Sequence, residues 1–254
     1  MKVIKIKNLE IGRDKPKVVI PIVGKTKEEI LNEADKLKLE IFDMIEWRVD
    51  YFEHAFEVDK IEEILIKLRE ILLDAPILFT FRTKEEGGEK DIDAERYWII
   101  NEYVLNKKLV DVVDLQLFMN NEVIKKLVQI AHNNNIKALI SNHDFEKTPP
   151  CEEIISRFKL MDNLNADILK IAVMPHNILD VLELIKATVR MKDEYTDKPV
   201  VSISMSQLGM ISRFSGEIFG SALTFGSAGK LSAPGQINLE DLNTLMDLIH
   251  KNIK

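Results

Sequence analysis

Short β-branched runs alternate with longer amphipathic segments along nearly the whole chain, and this alternation narrows the possible folds more than any other feature. The strand candidates are residues 17–23 (KVVIPIV), 44–50 (MIEWRVD), 76–82 (PILFTFR), 112–117 (VVDLQL), 137–145 (KALISNHDF), 167–174 (DILKIAVM), 199–206 (PVVSISMS) and 221–227 (SALTFGS). Between them apolar residues recur at helical spacing. Segment 26–38 opens with Thr26 and Glu29 at capping-box spacing and carries Ile30, Leu31, Ala34 and Leu37. Segment 59–72, with Asp59 as its expected cap, places Ile61, Ile64, Leu65, Leu68 and Leu72 on one face. Segments 93–106, 121–133, 151–164, 177–193 and 238–252 read the same way, while 211–219 gives only a short helix. Strand followed by helix, repeated, means parallel pairing through right-handed crossovers. Eight such units in 254 residues predict an α/β chain closed into a (β/α)8 TIM-type barrel rather than an open doubly wound sheet. Ahead of the first barrel strand, Val3, Ile4 and Ile6 alternate with lysines before a turn expected at GRDK (12–15). A β-hairpin closing the N-terminal end of the barrel suits that segment. No Gly/Ser/Pro-rich linker interrupts the chain, so a single domain over residues 1–254 is expected.

Composition excludes several classes. The formal net charge is -7 and no long basic run occurs, so nucleic acid is not an expected partner. No apolar run is long enough for a membrane span, and the N-terminus lacks the form of a signal peptide, which makes a cytoplasmic location the expectation. The single cysteine, Cys151, excludes an intrachain disulfide and any Cys-cluster metal site, and no neighbour suggests an activated nucleophile.

In a (β/α)8 enzyme the chemistry sits at the C-terminal ends of the strands and in the loops just after them. Here those ends carry Glu46 and Arg48, then Arg82 with Glu86 just beyond, His143, Lys170, Met205 and Ser206, Arg213, and the loop SAGKLSAPGQ with Ser232 and Gln236. Glu46 and Arg48 are two apart and share a face, so a structural ion pair between them weighs evenly against a functional role. Glu85, Glu86 and Glu89 can be a solvated charge run, and His54, His132, His176 and His250 sit in helix or loop surroundings with no special signal. Lys170 is harder to read as incidental. Strand alternation puts Ile168, Lys170, Ala172 and Met174 on one face and the aliphatic Leu169, Ile171 and Val173 on the other, so the lysine points into the barrel. Snorkelling to the mouth, or pairing with Glu46, would be its structural role. Burial next to Arg48, Arg82 and Arg213 would instead disfavour the ammonium and leave a free amine able to form a Schiff base.

An imine-forming lysine needs a base for the neighbouring carbon acid, and His143 on the adjacent strand has a suitable intrinsic pKa. Glu86 is the candidate to fix its tautomer. Arginines with no obvious acid for each point to an anionic substrate, most simply a carboxylate held by Arg213. Ser232 and Gln236, on a loop of small residues, are placed to bind substrate hydroxyls, with residues 228–236 closing over the mouth. The segments EWRVD, FTFRTKEEGG, ISNHDF, DILKIAVMP and SRFSGEIFGSALTFGSAGKLSAPGQ together resemble the type I 3-dehydroquinate dehydratases. That resemblance covers nearly the whole chain. It implies a (β/α)8 barrel, generally a homodimer, that needs neither metal nor organic cofactor and converts 3-dehydroquinate to 3-dehydroshikimate in aromatic amino acid biosynthesis. It also implies that Lys170 forms the imine, His143 moves the proton and Glu86 orients His143. Arg213 matches the family's carboxylate-binding position. Glu46, Arg48, Arg82, Ser232, Ala233 and Gln236 match substrate-binding or site-ordering positions, and Met205 and Phe225 match its apolar lining. Ser206 departs from the pattern, which has glycine there. A class I aldolase acting on a phosphorylated sugar is the alternative, since TFGSAGK could cradle a phosphate.

Overall fold

The computed structural model describes residues 2–229 and 232–253. Lys230 and Leu231, part of the loop expected to close over the mouth, lie outside that range. The chain opens with a hairpin of β1 (Ile4–Ile6) and β2 (Leu9–Ile11), antiparallel with Ile4 opposite Ile11. Its turn falls at Lys7 and Asn8, where Lys7 takes a φ of 52°, and not at GRDK, which instead links the hairpin to the barrel. The repeating units follow: β3 (Lys17–Ile22), α1 (Lys27–Leu37), β4 (Met44–Arg48), α2 (Val58–Leu72), β5 (Ile77–Thr80), α3 (Ala94–Lys107), β6 (Val112–Gln116) and α4 (Asn121–Asn133). The second half has β7 (Lys137–Asp144), α5 (Cys151–Asn163), β8 (Ile168–Val173), α6 (Ile178–Arg190), β9 (Val200–Ser204), the single turns α7 (Ile211–Phe214) and α8 (Gly216–Phe219), β10 (Leu223–Phe225) and α9 (Leu239–Ile253).

Strands β3 to β9 pair in sequence order, all parallel, and β10 pairs with β3, as right-handed crossovers require. The seam between β9 and β10 is the thinnest part of the barrel. There Val200 bridges Ser221, the Ala222 N–H donates to the Val200 carbonyl at 2.8 Å, and Ser221 Oγ accepts from the Ser202 N–H at 3.0 Å. Helix starts follow local chemistry. Thr26, Asp93, Asn120 and Asn177 each accept a backbone N–H of the first turn. Helix α2 is the exception to the sequence reading: it begins at Val58 after Glu57, so Asp59 lies inside the first turn, where a carboxylate meets the positive end of the helix dipole.

Side-chain alternation splits the strands into two cores. Outward residues such as Trp47, Phe79, Leu115, Ile140, Leu169 and Ile171 pack under the helices. Each strand contributes an inward apolar residue near its start: Val19, Met44, Leu78, Val112, Leu139, Ile168, Val201 and Leu223 form one cluster with Ile4, Ile6 and Ile11 of the hairpin. The hairpin thus plugs the N-terminal end with apolar side chains. One step further along β4 to β8 the inward residues become Glu46, Thr80, Asp114, Ser141 and Lys170, all buried. Function is thereby confined to the C-terminal mouth. Ile11 has no exposed surface and lies at the opposite end from that mouth. Ile11→Ala is expected to lower unfolding free energy by about 2–5 kcal/mol in urea titrations while leaving substrate affinity unchanged.

Candidate active site

Several local devices bring the polar groups to the mouth. The chain leaving β5 makes one 3₁₀ turn, Lys84–Glu86, that ends at Gly87 with φ 81°. A Cβ on Gly87 would sit 2.3 Å from the Phe145 ring, and one on Gly88 would sit 1.9 Å from the Arg82 carbonyl, so only glycine lets this loop fold back. The result turns Glu86 inward and leaves Glu85 and Glu89 exposed. At the exit of β9, Ser206 occupies φ 58°, a left-handed conformation that favours glycine, so the departure noted in the sequence puts a serine where glycine would be less strained. Met205 before it is nevertheless buried and inward.

A cavity of about 500 Å³, counting its solvent-open part, lies at this end. Glu46, Arg48, Arg82, Glu86, His143, Lys170, Met205, Arg213, Phe225, Ser232, Ala233 and Gln236 all line it, so the structure brings every sequence candidate together. Gly87, Phe145, Ala172 and Ile203 complete the wall. The other histidines lie elsewhere, each beside its own acceptor: His54 by Glu57, His132 by Asp167, His250 by Glu217 and His176 by the Glu146 carbonyl.

Lys170 is 4 % exposed. Its Nζ lies 4.0 Å from Glu46 Oε1 and 4.0 Å from Asp114 Oδ2, and 3.9 Å from the centre of the Phe225 ring. Burial pushes its pKa below the usual 10.5; Glu46 and Asp114 oppose the fall, and Arg82 and Arg48 add to it. The sequence reading offered Glu46 as a partner for Lys170 but not Asp114, whereas the structure sets it between these two carboxylates, each engaged elsewhere. Thr80 Oγ1 donates to Glu46 at 2.9 Å and Ser141 Oγ donates to Asp114 at 2.7 Å. Arg82 Nη2 lies 2.8 Å from Asp114 Oδ2 as an ion pair without hydrogen-bond alignment, and its Nη1 donates to Glu86 and Ser141.

Two more expectations change. Arg48 does not pair with Glu46: it makes two 2.8 Å bonds to Asp50, a fully buried carboxylate that also accepts the N–H groups of Arg82 and Glu89. Burial works against the Arg48 charge, but Asp50 outweighs it and holds the pKa above the usual value. Arg48 and Arg82 therefore each have an acid. Arg213 is different: among the described residues it has no carboxylate partner. It donates to the Pro234 carbonyl at 2.7 Å and the Phe225 carbonyl at 3.4 Å, and its Nε is buried with no partner. Burial alone pulls its pKa down to about 10. The same loop turns on itself through Gln236, whose amide bonds the Ser232 N–H and Oγ at 2.8 and 2.9 Å.

His143 Nδ1 lies 3.0 Å from Glu86 Oε2, which also accepts the His143 backbone N–H at 2.9 Å. With the carboxylate accepting, the ring proton sits on Nδ1 and the Nε2 lone pair is left for other chemistry. Burial, then Arg82, Lys170 and Arg48, hold the imidazole well below its usual pKa of 6.5, so it is neutral at pH 7. Burial raises Glu86 to about 7 against the pull of Arg82 and Asn142. Asp50, Asp114, Ser141 and Asn142 escaped the sequence reading. Asp114 had a signal, since alternation in VVDLQL turns it inward by the same logic as Lys170.

A buried amine whose pKa is lowered and a carboxylate-backed imidazole in one cavity are equipped to make and break an imine, which puts the chain in the class of imine-forming (β/α)8 barrel enzymes. No group of three or more His, Cys, Asp or Glu residues that could hold a metal occurs among the described residues. Comparison with known proteins makes the assignment specific. The type I 3-dehydroquinase family model matches residues 18–253, and the chain belongs to that family. It is 50% identical over 250 residues to the 3-dehydroquinate dehydratase of Clostridioides difficile strain 630, covering 98% of each chain. It is 46% identical over 254 residues to that of Bacillus subtilis strain 168, covering 100% of each. The crystal structure of the type I enzyme from Clostridium difficile with covalent modified comenic acid superposes with a TM-score of 0.96 at 49% identity, over 99% of this chain and 98% of that one. Free-enzyme NMR should find the His143 ring neutral at pH 6.5, and Nδ1 protonated at about pH 8, where Glu86 is ionised. A ring half-protonated at pH 6.5 would contradict the burial argument.

Proposed function

We propose that the chain removes water from 3-dehydroquinate to give 3-dehydroshikimate through an imine on Lys170. The observation that carries the reading is the buried Lys170 amine sharing one cavity with the Glu86-backed His143 and with Arg213, a cation left without an acid among the described residues. In the steps proposed, the amine attacks the substrate ketone and expels its oxygen as water, leaving a protonated imine. That positive nitrogen acidifies the adjacent carbon, and His143 Nε2 takes its proton. Electrons flow into the carbon–carbon bond as the hydroxyl one carbon further leaves, and the imidazolium returns its proton to that oxygen. Hydrolysis then frees product and amine, so the net change is loss of one water. Arg213 holds the carboxylate and Ser232 and Gln236 hold hydroxyls. Glu46, Arg48 and Arg82 order the polar wall, while Met205, Phe225 and Ala233 shape the apolar one.

We further read the chain as a single domain that acts in the cytoplasm as a homodimer. No helix of the described residues is long and apolar enough to cross a membrane. Ile178, Leu179 and Leu182 on α6, and Leu208, Met210 and Ile211 in the next unit, are exposed apolar side chains of the kind a second copy covers.

Borohydride treatment with 3-dehydroquinate should leave a covalent adduct on Lys170, read by intact mass. Tight binding with no adduct would sink the imine mechanism, and inhibition by inorganic phosphate without turnover would favour the aldolase. Lys170→Ala should lose both adduct and turnover, whereas His143→Ala should keep the adduct and lose about 10²–10⁴-fold in kcat. Turnover near wild type in His143→Ala would mean that the base is another group. Arg213→Gln should raise KM roughly 10–100-fold, because a charge-assisted bond to a carboxylate contributes about 1.5–3 kcal/mol.

A further inference from the structure

Asn142 lies on β7 between the inward Ser141 and His143, so its own side chain starts from the outward face. It is nonetheless buried among polar groups. Its Nδ2 donates to Glu86 Oε1 at 3.2 Å, and its Oδ1 accepts from Arg157 Nη1 at 2.8 Å. A guanidinium only donates and an ionised carboxylate only accepts, so one orientation of the amide satisfies both neighbours and the flipped one satisfies neither. Arg157, on α5, is itself held in place. Glu153 one turn earlier accepts from its Nη2, Asp144 Oδ2 lies 3.5 Å from Nη1, and its guanidinium carbon lies 5.8 Å from the centre of the Phe118 ring.

We infer that Arg157 and Asn142 are positioning residues for the Glu86–His143 pair, forming a relay from α5 outside the barrel to the imidazole in the cavity. Asn142 occupies Glu86 Oε1, while Oε2 takes the backbone N–H and the Nδ1 proton of His143 together with a 3.2 Å bond from Arg82 Nη1. One carboxylate is thereby aimed rather than free to rotate. Glu86 also faces Arg82 from the exit of β5 and Asp114 from β6, while His143 faces Arg82, Lys170 and Arg48. Those charges act on the pair from the cavity side. Asn142 supplies a neutral donor from behind, and Arg157 polarises it.

The inference rests on His143 acting with Glu86, but titration of the free enzyme tests the relay without turnover and so separates its failure from that of the proposed reaction. The probe is the His143 imidazole resonance followed against pH. Asn142→Ala should move the first protonation of the His143–Glu86 pair upward by about one pH unit, because the ionised carboxylate loses a donor. Asn142→Asp should move it further, since it puts an acceptor where the donor was. Arg157→Ala, at a partly exposed position, should move it the same way by about half as much, which keeps the test available if Asn142→Ala does not fold. In turnover, Asn142→Ala should lose about tenfold in kcat with little change in KM. The Arg157→Ala/Asn142→Ala double variant should be no worse than Asn142→Ala, as expected of residues acting through one chain of contacts. An unmoved titration accompanied by lower thermal stability would reduce both residues to packing and overturn the inference. Additive effects in the double variant would overturn the relay.

Discussion

The rest of the site depends on the burial of one amine. Lys170 sits inside a barrel whose lower half is sealed by aliphatic side chains, and the neighbours it has must both tolerate its charge and make that charge dispensable. Glu46 and Asp114 stand at 4.0 Å, close enough to stabilise an ammonium, yet neither is committed to it. Thr80 occupies one, Ser141 and Arg82 the other. With carboxylates partly spent on other partners and two guanidinium groups nearby, burial sets the direction of the shift and the amine form becomes accessible. A protonated imine carries the same charge in nearly the same place. The surroundings that accommodate the lysine therefore also suit the intermediate proposed for it.

That arrangement needs a closed barrel with distinct ends. An inward apolar residue near the start of each strand makes the hydrophobic plug, and the isoleucines of the β1–β2 hairpin cover it. Polar groups one step further along the strands are thereby desolvated without being isolated: they are close enough to satisfy one another. Asp50 shows how far this goes. Fully buried, it fixes the Arg48 side chain and two backbone N–H groups of the loop after β5, tying the exit of β4 to the loop that carries Glu86. The position of the carboxylate behind His143 is thus set partly by an ion pair on a neighbouring unit.

Much of this is legible in the sequence because strands and helices have different periods. Eight units, their order and the inward face of Lys170 follow from alternation alone. Element ends are less legible: Asp59 has the chemistry of a cap, but the chain enters α2 two residues earlier. The hairpin turn at Lys7 and Asn8 carries no glycine, so GRDK attracts the reading instead. Pairing among charges is the hardest part. Arg48 has Glu46 and Asp50 at equal spacing in sequence, and the turn in the chain after Arg48 brings Asp50 back onto the guanidinium. Arg82 finds Asp114 across a strand pair that no local pattern announces. Spacing gives the face a side chain occupies; the partner depends on the curvature of the closed barrel.

Arg213 shows what remains once those pairings are made. Every other guanidinium in the cavity wall has its acid; this one has two backbone carbonyls and, among the described residues, no partner for its Nε. A buried cation without a counter-charge is unfavourable in the free protein, and burial alone pulls its pKa down to about 10. An arriving carboxylate would relieve it. The stronger of its present bonds goes to Pro234, in the loop that also bears Ser232 and Gln236. The cation proposed to bind the carboxylate therefore also holds the loop proposed to contact the rest of the same molecule, so in that reading anion binding and loop position are coupled through one side chain.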